Sequence, residues 1–506
     1  MTGHPSSASL PEWLERLPDA DQQRATDAWA IEDRHIASLE LMEHAANGLA
    51  DAVRHRAPEG RVVVVAGKGN NGGDGLAVAR LLREAGREVD VLLLAPGEEL
   101  SGDARVNFDR LPGAGAAHSR SFDAGVLSGA AAIVDAILGT GFSGAPREPA
   151  RSAIAAINDA AGDAVVIACD VPSGVDASTG EVEGDAVRAS ATVTFHAAKP
   201  GLWINPGKAH AGEVTVVDIG IPEGARVTPS VGLIVPAVLD GVPHRAHDST
   251  KFAAGSVLVC GGSTGLTGAP CMAAEAAMRA GAGYVTALVP GSLNLVFEQR
   301  LLEVMSVPLP DKDGTLTQPA LEVVLERTGR AGAMVLGPGL GRKPGTFKLT
   351  RKLAGAIAIP LVLDADGLNA HEGRLEALAE RPGVTVLTPH AGELARLLES
   401  DSGEIAAHRL RSVREAAARA DAVVVLKGDD TIVATPDGRA AVSPGGAPAL
   451  STAGTGDVLS GVIAAYLSKG MDPFHAACAA VFVHARAGRL AAQTIGTEGV
   501  IASDVI

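Results

Sequence analysis

Three apolar runs in the first half of this chain end in short oxygen-bearing side chains. The stretch VVVVAGKGNNGGDGLAVARLLREAG, residues 62–86, delivers Asn70, Asn71 and Asp74. DAILGTGFSGA delivers Asp135, and CDVPSGVD delivers Asp170, Ser173 and Asp176. Amide, carboxylate and hydroxyl oxygens gathered this way cage a hard cation, and Asn71, Asp135 and Ser173 are the donors best placed for one. Glycine amides and the GTG at a helix start suit a phosphate. The competing reading is that these Asn and Asp residues only close Asx-turns and cap helices. Gly67, Gly69 and Gly72 also spell G-x-G-x-x-G, the pattern of a dinucleotide cofactor loop. Such a loop wants an acid about 20 residues on, at the end of the next strand. The nearest acids here, Glu98 and Glu99, lie farther on and beyond a turn, which weakens a hydride-carrier reading.

The second half has its own chemistry. In STAGTGDVLSG, residues 451–461, Gly454 and Gly456 let bare backbone approach an anion at a helix start. Asp457 in that first turn is placed to move a proton beside the anion; its bland alternative is a helix-capping acid. VLKGDDTIV sets Lys427 after a buried strand, where it suits a nucleotide phosphate or base edge. VLTPHAGELARLL puts His390 and Glu393 at a strand-to-helix junction, and LDADGLN puts Asp364 and Asp366 at another strand end. A histidine taken singly is more often structural than functional.

These residues need elements to hold them. Apolar spacing predicts a helix over residues 24–57, with Ser38 able to cap it, and another over Leu76–Ala85. Short apolar strands fall at Val62–Ala66, Val89–Ala95, Ala131–Ile137 and Ala164–Ala168, and ATVTF and GEVTVV follow. Such strands alternating with helices predict a parallel sheet covered on both faces. The texture loosens near residue 222 and a second alternation begins at SVLVCGGSTG. The expected organisation is a first domain over 1–222, a linker over 223–245 and a second domain over 246–506. The expected fold class is α/β, with two doubly wound domains.

Composition agrees. A chain of 506 residues exceeds one core, and 46% hydrophobic content is enough to fill two. Aromatics at 3% do not supply the stacking platforms of nucleic-acid binders, and a net charge of −16 repels nucleic acid and anionic membranes. Cys169, Cys260, Cys271 and Cys478 show no zinc or disulfide spacing, which fits buried thiols in a reducing cytoplasm. The polar, acidic opening MTGHPSSASLPEWLERLPDADQQ does not read as a signal peptide, and no apolar run is long enough for a membrane span.

AGKGNNGGDGLAVAR, VDAILGTGFSG, CDVPSGVDASTG and FHAAKPGLWINPGKAHAGEVTVVDIGIP together resemble the YjeF N-terminal domain, the NAD(P)H-hydrate epimerase family. The resemblance spans residues 24–222. It implies a Rossmann-like fold, a bound potassium ion (K+) and a damaged, hydrated nicotinamide dinucleotide as substrate. Carried over by motif, Asn70, Asn71, Gly72, Gly73 and Asp74 contact that substrate, as do Gly139, Thr140, Gly141, Phe142, Ser143, Gly144 and Ala145. Asp170 contacts it too and acts as acid or base. Asn71, Asp135 and Ser173 ligate the potassium. A nicotinamide dinucleotide would then meet the glycine loop as substrate, not as hydride carrier.

The second-half motifs, with TPHAGE and GTGDVLSG foremost, resemble the YjeF C-terminal domain over residues 248–490. That family is the ribokinase-like, ADP- or ATP-dependent NAD(P)H-hydrate dehydratase. The resemblance implies that Ala269, Gly339, His390 and Asp457 contact the hydrate. Lys427, Gly428, Asp429, Asp430, Thr431 and Gly456 contact the adenine nucleotide. Two positions depart from the family pattern: Phe252 stands where a glycine is usual, and Leu266 where an aromatic is usual. The implied chemistry is phosphoryl transfer from ADP or ATP to the ring hydroxyl, with Asp457 as base and Mg2+ balancing charge, followed by elimination. The resemblance also implies a homo-oligomer. The nearest rival is a small-molecule kinase, which shares the GTGD anion hole; a non-catalytic scaffold would need no such set of acids, and a redox enzyme lacks a hydride-acceptor site.

Overall fold

The computed structural model describes residues 9–111 and 119–506. Residues 1–8 of the polar opening lie outside the described residues. The chain divides into two compact units. One is Arg16–Val231; the other takes the residues up to Glu15 together with Gly232–Ile506.

The first unit is built on a seven-stranded sheet. Its spatial order is Ser119–Ser121, Val89–Leu93, Val62–Ala66, Ala132–Ala136, Val165–Cys169, Ala191–Phe195, Glu213–Val217. Every pairing is parallel. Val62–Ala66 is buried along its whole length. Val62 and Val64 join one apolar core while Val63 and Val65 join another, so the period-two alternation feeds both covered faces.

The second unit carries an eleven-stranded sheet. Its order is Leu14–Leu17, Val231–Ile234, Ala440–Val442, Ile432–Ala434, Val423–Leu426, Thr385–Leu387, Leu361–Leu363, Ala333–Leu336, Ser256–Cys260, Tyr284–Pro290, Met305–Leu309. From Val423–Leu426 to Met305–Leu309 the strands run parallel, and Val423–Leu426, Ile432–Ala434 and Ala440–Val442 form an antiparallel meander. Both units are therefore α/β, as expected. The four cysteines are free and buried. Among the described residues no helix is long and apolar enough to cross a membrane.

Three expectations need correcting. Residues 24–57 form two helices, Ala20–Glu32 and Ser38–Arg56, broken where His35 takes a positive φ of 59°. Ser38 is the first helical residue and caps nothing; Asp19 and Gln22 close a capping box on the earlier helix instead. The helix expected at Leu76 already begins at Asn70, because the glycines that lower its propensity let it pack close. The span 223–245 is no plain linker: Val231–Ile234 within it is a strand with all residues buried. Leu10 and Leu14 likewise enter the second unit's core beside Ile234 and Val238, and Trp13 stacks on His475 at 4.5 Å.

Candidate active sites

In an open parallel sheet, ligands gather at the C-terminal strand ends where the order reverses. In the first unit that point lies between Val62–Ala66 and Ala132–Ala136. A cavity of about 900 Å³ opens there. Asn70, Asn71, Asp74, Gly139, Thr140, Gly141, Phe142 and Asp170 line it. Gly72 and Gly73 are buried behind the wall, and Ser143, Gly144 and Ala145 lie outside it. The helix Asn70–Glu84 starts at Gly69 without a side-chain cap, which leaves its first N–H groups open to a ligand. Gly72 has to be glycine, since any side chain there would strike the Gly67 carbonyl.

Asp170 follows the strand Val165–Cys169 with φ at +68°, an unusual conformation for a side chain of any size. Lys199 Nζ stands 2.6 Å from its Oδ1, and Thr194 Oγ1 donates to the same oxygen at 3.0 Å. Thr140 Oγ1 donates to Oδ2. Lys199 is 1% exposed and also donates to Thr194 Oγ1 and the Phe195 carbonyl. Burial works against the ionised carboxylate, yet Lys199 and these hydrogen bonds together hold Asp170 below its usual range. Asp74 goes the other way. Burial, then the charges of Asp170, Asp27 and Asp103, push it well above the carboxylate range. The cavity thus holds one carboxylate shifted towards its ionised form and another shifted towards its protonated form.

Beneath it, Ser173 donates to both oxygens of Asp135, through Oγ at 2.6 Å and through its N–H at 2.8 Å. Asp135 is fully buried, and burial pushes it up to about 6 against the hydrogen bonds from Ser173 and Ile137. The Asn71 side chain packs against Gly139, and its Oδ1 and Nδ2 are buried without a hydrogen-bond partner among the described residues. A buried carboxylate hydrogen-bonded by neutral groups and an orphaned amide oxygen fit a cation.

In the second unit the helix Thr455–Ser468 begins at Gly454, whose φ of +94° suits glycine. Lys427 follows the strand Val423–Leu426. Its Nζ stands 3.1 Å from Asp364 and 3.8 Å from Glu393, and a side chain at Gly456 would meet it. Ser460 Oγ donates to the second Asp364 oxygen at 2.6 Å. Asp457 lies in the first turn of this helix. Burial first, then Asp364, Glu393 and Asp366, push Asp457 up to about 7, with Lys427 pulling it down. A carboxyl group so poised exchanges a proton near neutral pH.

His390 caps the helix Ala391–Leu398. Its Nδ1 accepts from the Gly392 and Glu393 N–H groups, and Glu393 accepts from the His390 N–H in return. Its Nε2 therefore carries the ring proton, and burial depresses the ring's pKa. Gly339 accepts from Ser263 Oγ at 2.8 Å, and Gly341 N–H and Arg342 hold Asp366. Ala269 is half-buried one turn before Met272, which packs on Gly454.

A cavity of about 360 Å³ adjoins Lys427 and is lined by Gly428, Asp429, Thr431 and Gly456. Its far wall is apolar, from Ala447, Pro448, Leu450, Leu459 and Val481. Asp430, expected beside the nucleotide, is turned away. It is buried against Arg409 at 2.8 Å, since a carboxylate this deep needs a cationic partner. Phe252 is exposed and packs on Tyr284 at 5.0 Å, with Lys251 over both rings. The Leu266 carbonyl packs on Gly339 while its side chain is exposed.

Motif reasoning passed over Lys199, Thr194 and Asp27. Lys199 had a signal: a lysine just after the apolar strand Ala191–Phe195, at the edge where ligands sit. Asp27 had none, since it joins the cavity only through the packing of its helix.

A family model described as YjeF-related protein N-terminus matches residues 38–201, and one described as NAD(P)H-hydrate dehydratase matches residues 257–506. A bifunctional NAD(P)H-hydrate repair enzyme from Moorella thermoacetica is 38% identical over 97% of this chain and 95% of its own. One from Salinibacter ruber is 40% identical over 96% and 94%. A solved ADP/ATP-dependent NAD(P)H-hydrate dehydratase from Bacillus subtilis, co-crystallised with ATP/Mg2+, is 28% identical over 53% of this chain and 92% of its own, with a TM-score of 0.45.

Proposed function

The chain belongs to the family of bifunctional NAD(P)H-hydrate repair enzymes, and from that membership we propose how each of its two cavities does its share of the repair. The enzyme interconverts the R and S hydrates and dehydrates the S form back to NAD(P)H at the expense of ADP or ATP.

Water added to a reduced nicotinamide leaves a hydroxyl on a carbon beside the ring nitrogen. Epimerisation needs that C–O bond to break and re-form on the other face. In the first cavity Asp170 is the ionised member, suited to face the ring as it becomes cationic and to take a proton from incoming water. The open N–H groups at Asn70 and the Gly139–Phe142 turn hold the dinucleotide. Asn71, Asp135 and Ser173 hold the potassium ion, which offsets the buried Asp135 charge when bound.

In the second unit Asp457 removes the proton from the hydroxyl of the S hydrate as its oxygen takes the phosphoryl group. Lys427 and the N–H groups at Gly456 and Asp457 stabilise the transferring phosphate. Phosphate then leaves as the ring nitrogen's lone pair assists and the neighbouring carbon loses a proton, which restores the double bond. His390 Nε2–H, Gly339 and Ala269 line the hydrate side, and Lys427, Gly428, Asp429, Thr431 and Gly456 the nucleotide side. Among the described residues no trio of His, Cys, Asp or Glu forms a dedicated metal cluster. Mg2+ would balance the charge of the nucleotide phosphates. From the family resemblance and the four free, buried cysteines we further propose that the enzyme works in the cytoplasm as a homo-oligomer.

The observation that carries this reading is Asp457, poised near neutrality in a helix's first turn beside Lys427. The test is to incubate the full chain with an R/S mixture of NADHX, Mg2+, K+ and either ADP or ATP, following reduced nicotinamide absorbance. Recovery of the whole mixture at a nucleotide-dependent rate is expected and identifies the donor. Recovery of the S fraction alone removes the epimerase role, and a stable phosphorylated product returns the kinase reading.

A further inference from the structure

The bend 427–431 joins the strands Val423–Leu426 and Ile432–Ala434, which pair antiparallel. Lys427, Gly428, Asp429 and Thr431 line the smaller cavity, and Asp430 is absent from its wall. Asp430 is 1% exposed, and Arg409 Nε donates to its Oδ2 at 2.8 Å. Arg409 is itself buried and opens the helix Arg409–Ala420. A buried cation in a helix's first turn is disfavoured both by desolvation and by the helix dipole, so its place there needs Asp430 to offset it. The same guanidinium braces the rest of the bend. Its Nη2 reaches the Lys427 carbonyl at 3.5 Å, and a Cβ at Gly428 would fall 2.6 Å from that nitrogen. The bend closes on itself above this anchor, with the Thr431 N–H and Oγ1 both donating to the Gly428 carbonyl, at 3.1 and 2.6 Å.

One guanidinium thus touches three successive parts of the bend from the protein side, while the cavity takes the other side. We propose that Arg409 and Asp430 are a positioning pair: anchored inside the unit, they hold Lys427, Gly428, Asp429 and Thr431 towards the nucleotide and set its affinity without touching it. This rests on the reading of the cavity as the nucleotide site. The pair should govern binding more than chemistry. Lys427 Nζ is tethered separately by Asp364 and Glu393, so the group nearest the transferring phosphate keeps its place when the bend shifts. The remaining wall residues of the bend have no such tether to the reacting centre, and small displacements of positioning groups are costly.

The test uses the full chain and two variants. Arg409→Leu combined with Asp430→Leu removes the pair without stranding a buried charge, a replacement that folded proteins often tolerate. It should unfold in urea near the wild-type midpoint, yet its KM for the nucleotide should rise about tenfold, with kcat and the KM for the hydrate within about twofold. Arg409→Lys leaves Asp430 in place and keeps a cation beside it, but a compact ammonium lacks the fork that also reaches the Lys427 carbonyl. Its nucleotide KM should rise about threefold, which separates positioning from direct contact by Asp430 and serves if the double variant misfolds. The epimerase rate is the internal control and should not move in either. A folded double variant with wild-type nucleotide KM shows a merely structural pair and overturns the assignment. So does a lysine variant with unchanged nucleotide KM, or a loss that falls on kcat or the hydrate KM instead. Failure of wild type to bind ADP or ATP by calorimetry overturns the nucleotide reading of the cavity, and the assignment with it.

Discussion

The two sites solve one problem in opposite ways. Each sets a lysine among its carboxylates. In the first unit Lys199 pairs with the carboxylate proposed to react, Asp170, and favours its ionised form. In the second, Lys427 pairs with the neighbours, Asp364 and Glu393, and Asp457 is left up at about 7. Burial raises both acids; the difference lies in whether the lysine bonds the acid itself or the neighbouring acids that add to the rise. An ionised carboxylate suits a ring that turns cationic; one poised near neutrality suits a proton that must leave a hydroxyl.

The comparison breaks most sharply at Asp457. Asp457→Asn removes the base and should lower dehydratase kcat about a thousandfold while the epimerase rate stays as it was. Full dehydratase activity in that variant would sink the assignment. Next comes the lysine of the first site. Lys199→Met strands Asp170 as a buried unpaired charge and should cost about 3 kcal/mol in urea unfolding at pH 7. Asp170→Asn added to it should recover much of that loss; equal stability of single and double variants would show that the pair does not matter.

Asp170→Asn alone is expected to slow epimerisation about a hundredfold without touching the dehydratase. The smallest effects sharpen the contrast through pH. Dehydratase kcat should rise with pH through about 7 as Asp457 ionises. Asp364→Asn removes the leading charge that raises Asp457, so this limb should move down by about one unit, and Lys427→Met should move it up by a similar amount. A limb that stays in place in both variants would mean that another group titrates.

Much of this was legible in the residues. The strand-end acids and glycine turns fall at the two cavities, because in an open parallel sheet the strand ends after the apolar runs form the crevice. What failed was what depends on packing. The Asn70 helix start was hidden by glycines that read as loop but are there for close approach to Gly67 and Ala136. Asp430 reads like its neighbours in KGDDT, and only its ion pair with Arg409 separates it from them. Lys199 lies in plain view after a strand, yet its role depends on Asp170 being folded back to it with φ at +68°.

The residues up to Glu15 belong to the second unit, and the whole first unit is spliced into the chain between them and Gly232. During synthesis Leu10 and Leu14 leave the ribosome first, but their strand partner Val231–Ile234 emerges only after the intervening unit is complete. The loop so closed is long, yet closure entropy grows only with the logarithm of length, so the wait is thermodynamically cheap. Its hazard is kinetic: a nascent chain paused near residue 222 would trail an unpaired apolar edge, open to any stray strand. For the same reason a single scission between the two units yields two fragments, of which the later one has lost the border of its own sheet.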